Sequence, residues 1–383
     1  MMRRAAFGVL ALGLAARTAW PQAAVSGQAS AYLSSNPDTA LLSGAGLRYI
    51  PELALERPLR AGGGDSLALD LSVDALVSGS FGRGALPAYD ASLKPYRAWL
   101  RFATHTFEAR VGLQKINFGS ATLFRPLMWF DRVDPRDPLQ LTNGVTGALA
   151  RYYFPNNTNV WAWALVGNTA TKGWETVPTE HGTMEAGGRF QTPVPAGEVG
   201  LTYDHRDADL GALPGSGSVP GRPALGPVPE DRFGLDGKWN LGFGLWGEAA
   251  LVHQHAALVS AYQRFWTLGA DYTVGVGNGL YVLAEYSRFD APASAFGSGP
   301  GFAFSGLLMN YPVGILDRVS AIVYANWTES QWYRILTWQR SYDVWTFYLL
   351  LFWNPKQPLG FGVQQQTTAF AGRGLEIMAT FNH

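Results

Sequence analysis

The chain has 383 residues, 29 Lys+Arg against 29 Asp+Glu, 15% charged and 13% aromatic residues, 45 glycines and no cysteine. Balanced charge removes the global electrostatic case for a nucleic-acid partner. Without cysteine there is no disulfide framework, thiol catalysis, Cys-ligated zinc or lipidated Cys anchor.

Residues 1–24 read as a secretory signal. Arg3 and Arg4 supply a positive start, and residues 5–16 form an apolar run. That run is too short for a spanning helix, which needs roughly 20 apolar residues. Residues 25–383 contain no uninterrupted apolar stretch of helical spanning length and are expected to form one domain. Export without helical spans leaves the periplasm, the exterior or the outer membrane.

From Leu47 onward the pattern has period two. Leu47, Tyr49, Leu53 and Leu55 oppose Arg48, Glu52 and Glu56. In 67–77, Leu67, Leu69, Leu71, Val73, Ala75 and Val77 oppose Asp70, Ser72 and Asp74. That run is about 11 residues long, the length a tilted strand needs to cross a bilayer. The next strand, ending with Phe107, Ala109, Val111 and Leu113, runs into the segment 110–144, where alternation stops at Gly119. This insert places Arg125, Asp131, Arg132, Asp134, Arg136 and Asp137 among Phe124, Met128, Trp129 and Phe130. It is too apolar for a solvated loop and too charged for a spanning segment.

Alternation resumes beyond it. Met184, Ala186 and Phe190 oppose Glu185, Arg189 and Gln191; Val199, Leu201 and Tyr203 oppose Thr202, Asp204 and Arg206. Phe233, Leu235 and Trp239 oppose Arg232, Asp236 and Lys238, and Trp266, Leu268, Ala270 and Tyr272 oppose Thr267, Asp271 and Thr273. Val319, Ala321, Val323, Ala325 and Trp327 oppose Ser320, Tyr324 and Asn326. Segments 146–154, 301–311 and 332–342 do not alternate cleanly.

Alternation alone also suits a soluble sandwich or propeller with one wet face. Long strands, aromatics near strand ends (Tyr49, Trp161, Trp239, Trp327, Trp345, Trp353) and links alternating between short and long favour a membrane barrel. Short links are 105–106, 155–158, 193–197, 240–242 and 275–279; long ones are 82–92, the insert, 167–182, 207–230 and 290–301. The Pro/Gly/Ser-rich run 210–229 is expected to be an extracellular loop, not a linker between domains. The expected fold is an all-β transmembrane antiparallel barrel of about 18 strands, with 16 as the alternative and the insert folded inward. The count of 18 requires an outer loop within 356–373 and a closing strand with Leu375, Ile377, Ala379 and Phe381 outward.

The whole mature sequence, ending in GLEIMATFNH, resembles an outer-membrane porin. Within that class, GLQKINFG at 112–119, followed by Phe124, Arg125 and Pro126, resembles barrels of the alginate-export and related porin type. Such families end in an aromatic residue, whereas here Asn382 and His383 follow Phe381. The resemblance implies passage of a solute or polymer and no particular substrate.

Candidate constriction residues are Arg125, Asp131, Arg132, Asp134, Arg136 and Asp137 on the insert, with Arg101 and Arg110 on the wall, near Arg48, Asp70 and Asp74. A narrow, low-dielectric pore magnifies each charge. A structural plug is the bland alternative, with turns at Asp134-Pro135 and Asp137-Pro138 and ions paired among themselves. His253 and His255 would share a face, but no third ligand is placed, so no metal is assigned. Glu185, Glu198 and Glu248 are the lumen carboxylates that period two generates, so no catalytic residue is assigned. No G-x-S-x-G, H-E-x-x-H, P-loop or Ser/His lipase pair is present, and a TonB-type transporter would need a larger barrel with a separate plug. The expected function is a passive channel for small hydrophilic solutes, with no cofactor. Its partners are outer-membrane lipid and lipopolysaccharide, and homo-oligomers are left open. The alternative is a non-conducting barrel for adhesion or assembly.

Overall fold

A computed structural model describes residues 22–38, 41–59, 64–82, 86–213, 226–256, 261–356 and 370–383. The strands begin with β1 (Gln22–Ser35), β2 (Leu41–Pro58), β3 (Ser66–Gly82), β4 (Ala88–Ala103), β5 (Phe107–Gln114) and β6 (Val145–Tyr153). Next come β7 (Asn159–Val166), β8 (Met184–Val194), β9 (Gly197–Asp209), β10 (Pro227–Asn240), β11 (Gly244–Gln254) and β12 (Tyr262–Val274). The last are β13 (Leu280–Asp290), β14 (Gly301–Pro312), β15 (Asp317–Asn326), β16 (Gln331–Ser341), β17 (Trp345–Trp353) and β18 (Arg373–Asn382). Each pairs antiparallel with its sequence neighbours. The 18-stranded sheet then closes where β18 meets β1, in register from Gln28↔Asn382 to Ser35↔Leu375. Closure leaves no strand edge unpaired, which a bilayer demands.

Burial is inverted relative to a soluble protein. Leu47, Val111, Leu201, Leu235, Leu268 and Ile377 are exposed on the outer surface. Glu185, Asp204, Arg206, Glu230 and Arg232 are buried on the inner one. A continuous apolar exterior of this kind is stable only against lipid. Most sequence-expected faces hold, including that of β18. Trp161 is the exception: it lies on the lumen face of β7, in register with Arg151, and packs inside rather than in an interfacial girdle.

The three segments without clean alternation are β6, β14 and β16. Their inward positions are apolar because Val145, Leu149, Phe304, Leu308 and Tyr333 receive the insert, while Ile335 packs with Leu350, Phe352 and Phe370. The hydrophobic signal there comes from both faces, so period two vanishes from the sequence without vanishing from the backbone.

Connections at one end are tight, among them 104–106, 195–196, 241–243 and 342–344. The other end carries 115–144, 167–183, 210–226 and 354–372. The link expected at 82–92 is shorter, because β4 already begins at Ala88. Of the loops expected to be extracellular, residues 214–225 and 357–369 lie outside the described residues, as do residues 1–21 of the expected leader. β1 starts at Gln22, just inside the stretch 1–24. In outer-membrane barrels tight turns face the periplasm and long loops the exterior. An epitope inserted within 214–225 should therefore be labelled on intact cells, and one at 195–196 only after permeabilisation. The reverse pattern would invert the topology.

Candidate functional site in the barrel lumen

At the end of β5, the Gln114 side-chain amide donates to the Gly147 carbonyl at 3.1 Å. The chain then leaves the wall and turns inward. Insert 115–144 forms no helix or strand; its turns come from Asp side chains that accept from backbone two residues on. Asp134 takes the Arg136 N–H at 2.9 Å, and Asp137 takes the Leu139 N–H at 2.9 Å. Phe118, Leu127, Trp129 and Phe130 pack on Leu149, Trp163 and Ala250. Leu123 and Phe124 pack on Trp246, Phe304, Tyr324 and Tyr333. The insert therefore bridges the lumen, joining the β6–β7 wall to β11–β16.

Two buried wall carboxylates hold it there. Glu285 on β13 accepts from three successive backbone N–H groups, Thr122 at 2.7 Å, Leu123 at 2.9 Å and Phe124 at 2.7 Å. The Trp246 indole donates to the same carboxylate at 3.0 Å. Glu248 on β11 accepts from Ala121 at 2.8 Å and Leu127 at 3.3 Å. The carboxyl oxygens satisfy backbone donors of the insert that would otherwise be buried without a partner. Glycines make room beside them. A Cβ on Gly234 would lie 2.6 Å from Leu127, and one on Gly306 would lie 2.6 Å from Leu123.

A second loop, 167–183, folds over the insert. The Trp174 indole donates to the Arg125 carbonyl, and Arg132 donates to the Thr171 carbonyl at 3.1 Å. Gly173, at φ +41°, lies directly on the Met128 carbonyl, where any side chain would collide. Beneath this loop sits a buried ion network. Glu175 meets Lys172 at 2.8 Å, Arg232 at 2.9 Å and Arg206 at 3.3 Å. Glu230 meets Arg206 at 2.7 Å and Arg232 at 2.8 Å, while Lys172 also reaches Glu185 at 2.9 Å. Burial alone would push the Glu175 carboxyl up; Arg206, Lys172 and Arg232 hold it below the usual carboxylate range.

The sequence-named residues divide into two groups. Arg125 pairs with Asp131 at 2.8 Å, and Arg136 pairs with Asp134 at 2.6 Å, so these charges are met within the insert. Arg136 also lies over the Phe370 ring. Asp137 is partly enclosed, and burial pushes its carboxyl above the usual range. Arg101 and Arg110 stand apart on the opposite wall, directly across from each other on β4 and β5. Arg101 reaches Glu56 at 3.4 Å; Arg110 reaches Glu108 at 3.1 Å, with Arg151 at 3.7 Å from the same carboxylate. Farther toward the loop end, on β2–β4, Asp74 pairs with Arg48 at 3.2 Å and with Lys94 at 3.7 Å.

Solvent access separates these walls. Side chains of Arg48, Lys94, Arg101 and Glu56 are 26, 47, 28 and 45% exposed, whereas those of Glu185, Asp204 and Arg232 are at most 4% exposed. An accessible lane thus follows β2–β4. The remaining candidates have other surroundings. Glu198 bonds Gln191 at 2.7 Å, Glu185 belongs to the ion network and Glu248 is a clamp, so the three form no catalytic pair. His253 and His255 lie on the outer surface, and no group of three or more metal-ligating side chains occurs among the described residues. Glu285 was invisible as a site in the sequence. Only its neighbours Gly306 and Gly269, small residues on adjoining strands, hinted at a close approach from inside.

No protein-family model and no curated protein matches the chain. Solved structures do. An anion-selective porin from Comamonas acidovorans is 15% identical, covering 94% of this chain and 99% of that one at a TM-score of 0.50. OmpF of Salmonella typhi, in complex with daunomycin, is 9% identical, covering 94% and 97% at 0.52. Wzi of Escherichia coli, described as a carbohydrate-binding barrel involved in group 1 capsule assembly, is 12% identical, covering 93% and 84% at 0.50. At these identities the likeness is one of fold. Together with the closed sheet and its apolar exterior, it makes the chain a porin-like, 18-strand β-barrel of the bacterial outer membrane.

Proposed function

We propose that the barrel is a passive channel for small hydrophilic solutes, narrowed from one side by the insert and carrying traffic along β2–β4. The observation that carries this is the one-sided solvent access of the inward charges: Arg48, Lys94, Arg101 and Glu56 stay wet while the opposite wall is covered. In this account Arg125, Asp131, Arg132, Asp134, Arg136 and Asp137 shape the constriction, and Arg101, Arg110 and Arg151 set its local charge. Like charges directly opposite each other on adjacent strands cost stability. Arg101 and Arg110 offset that cost by pairing with Glu56 and Glu108. The work is transport, with no reaction and no cofactor.

With Arg101, Arg110 and Arg151 outnumbering Glu56 and Glu108 by one positive charge, the lane favours anions, although the chain as a whole is neutral. Replacing Arg101, Arg110 and Arg151 together by Gln should move the zero-current potential in a salt gradient toward cation preference, with strand content unchanged. An unmoved potential would place the selectivity elsewhere. A second reading is supported by the span of the insert, which touches walls on both sides of the lumen. In that reading the insert is a stopper, and the barrel serves adhesion or assembly without conducting.

A further inference from the structure

One acid pair on the covered wall lacks the partners that its neighbours have. Glu185 on β8 and Asp204 on β9 lie one diagonal step apart on the inner face, because Gly187 is opposite Asp204 and Ala186 is opposite His205. Their side chains are 1% and 0% exposed, and the two carboxyl groups stand within hydrogen-bonding reach of each other. Half of each group is satisfied. Glu185 Oε2 receives Lys172 at 2.9 Å and the Thr179 hydroxyl at 3.2 Å, and Asp204 Oδ1 receives the Trp163 indole at 2.8 Å. The other halves, Glu185 Oε1 and Asp204 Oδ2, have no hydrogen-bond partner among the described residues. Both are 3.8 Å from the same Arg232 Nη1, too far for a hydrogen bond.

The charges packed around the pair do not make up this deficit. Arg232 on β10 is divided among Glu175, Glu230, Glu185 and Asp204, and Arg206 on β9 is taken by Glu175 and Glu230. Arg189 on β8 is closed on Asp236 of β10 at 2.6 Å. From the insert, Arg132 faces Glu175, with its guanidinium bonded to Thr171. Lys172 is the closest cation to the pair among the described residues, and Glu175 shares it at 2.8 Å. Two facing carboxylate oxygens without water between them repel, and such pairs do not ionise together. A single proton removes the repulsion and satisfies both orphans, since one oxygen then donates to the other. A metal ion suits the place less well, because the Arg232 guanidinium faces the same two oxygens.

We propose that Glu185 and Asp204 share one proton, and that this proton latches loop 167–183 over the insert. Lys172 and Thr179, which tie the loop to the wall here, both end on Glu185. Loss of the proton sets two negative charges against each other in a dry site. Relief comes by moving Glu185 or by admitting water, and either loosens both ties. The latch is therefore closed at low pH and opens as pH rises through the range in which the pair ionises. Opening also frees what the loop holds beneath it, since the Trp174 indole bonds the Arg125 carbonyl and Arg132 bonds Thr171. This inference is independent of whether the lumen conducts.

The test uses the whole folded barrel and two readouts. Infrared spectra near neutral pH should contain a protonated-carboxyl C=O band that is missing from Glu185→Gln and from Asp204→Asn. Spectra in which neither substitution removes such a band overturn the shared proton. In each variant an amide N–H stands where the proton stood, so the loop should stay latched whatever the pH. Protease cleavage within 167–183 is read as the ratio of parent to Glu185→Gln, which cancels the protease's own response to pH. That ratio should be near one at about pH 6 and rise several-fold by about pH 9, a span above the ordinary range of carboxylates. A ratio that stays at one overturns the latch. Where circular dichroism shows a variant misfolded, the parent alone decides: its carboxyl band should fade with rising pH as cleavage grows, and a band that persists through that growth overturns the link. A metal chelator should change neither readout, and a change would assign the pair to a metal ion instead.

Discussion

Replacing Glu285 and Glu248 together by Ala should open the pore. The double variant removes every acceptor that holds the stretch 121–127 to the wall and leaves the N–H groups of Ala121, Thr122, Leu123, Phe124 and Leu127 without those partners. Each orphaned buried donor costs about 1–3 kcal/mol. The loss is therefore comparable to the apolar packing that remains. The strand ladder is untouched, so the barrel still assembles. In planar bilayers the expected outcome is larger and noisier unitary steps than those of the parent. Glu285→Gln, which keeps one accepting oxygen, should fall between the two. Parent-like steps in the double variant would mean that the carboxylates do not fix the insert.

Arg232→Met should be the most damaging single substitution in the loop-end network. Arg232 contacts Glu175, Glu230, Glu185 and Asp204, and its removal leaves those four carboxylates facing only Lys172 and Arg206. Removing one partner from a buried ion cluster costs about 3–5 kcal/mol. The effect should appear as protease cleavage within 167–183 and a lower unfolding temperature. The pH dependence has a definite sign. In the parent, Glu175 is held below its ordinary range, so its contribution is present above the unfolded carboxylate pKa and is lost as pH falls through the lower folded value. In the variant the excess negative charge is relieved by protons, so the defect should be smaller at pH 5 than at pH 8. A defect that is equal at both would point to lost packing instead.

Much of the fold is legible in the sequence, because a tilted strand between water and lipid must alternate and because turn lengths differ between the two ends. The strands β3, β8, β9, β10 and β18 show this plainly. Alternation fails in β6, β14 and β16 for a reason that sequence cannot supply: Leu149, Phe304 and Tyr333 are apolar because a loop far away in the chain lands on them. The inward course of the insert could be inferred from Phe124, Trp129 and Phe130, which need cover, and from charges that need partners. Which partners they take could not. Arg125 and Asp131, or Arg136 and Asp134, are as consistent with a ring of free charges as with closed pairs until a backbone is drawn. Glu248 and Glu285 are ordinary inward residues in their strands. They become clamps only when barrel closure brings them under residues 121–127. Trp161 shows the converse error, since an aromatic near a strand end reads as a girdle residue whichever face it occupies.

The central claim is a water-filled lane beside a removable constriction, and conductance across a planar bilayer tests it most directly. The purified barrel should give discrete unitary steps that grow with salt, and a variant lacking residues 123–139 should give steps several-fold larger with its strand content retained. A parent that inserts without conducting, paired with a deletion that conducts, would identify the insert as a stopper. Silence from both, or equal steps from both, would contradict the account.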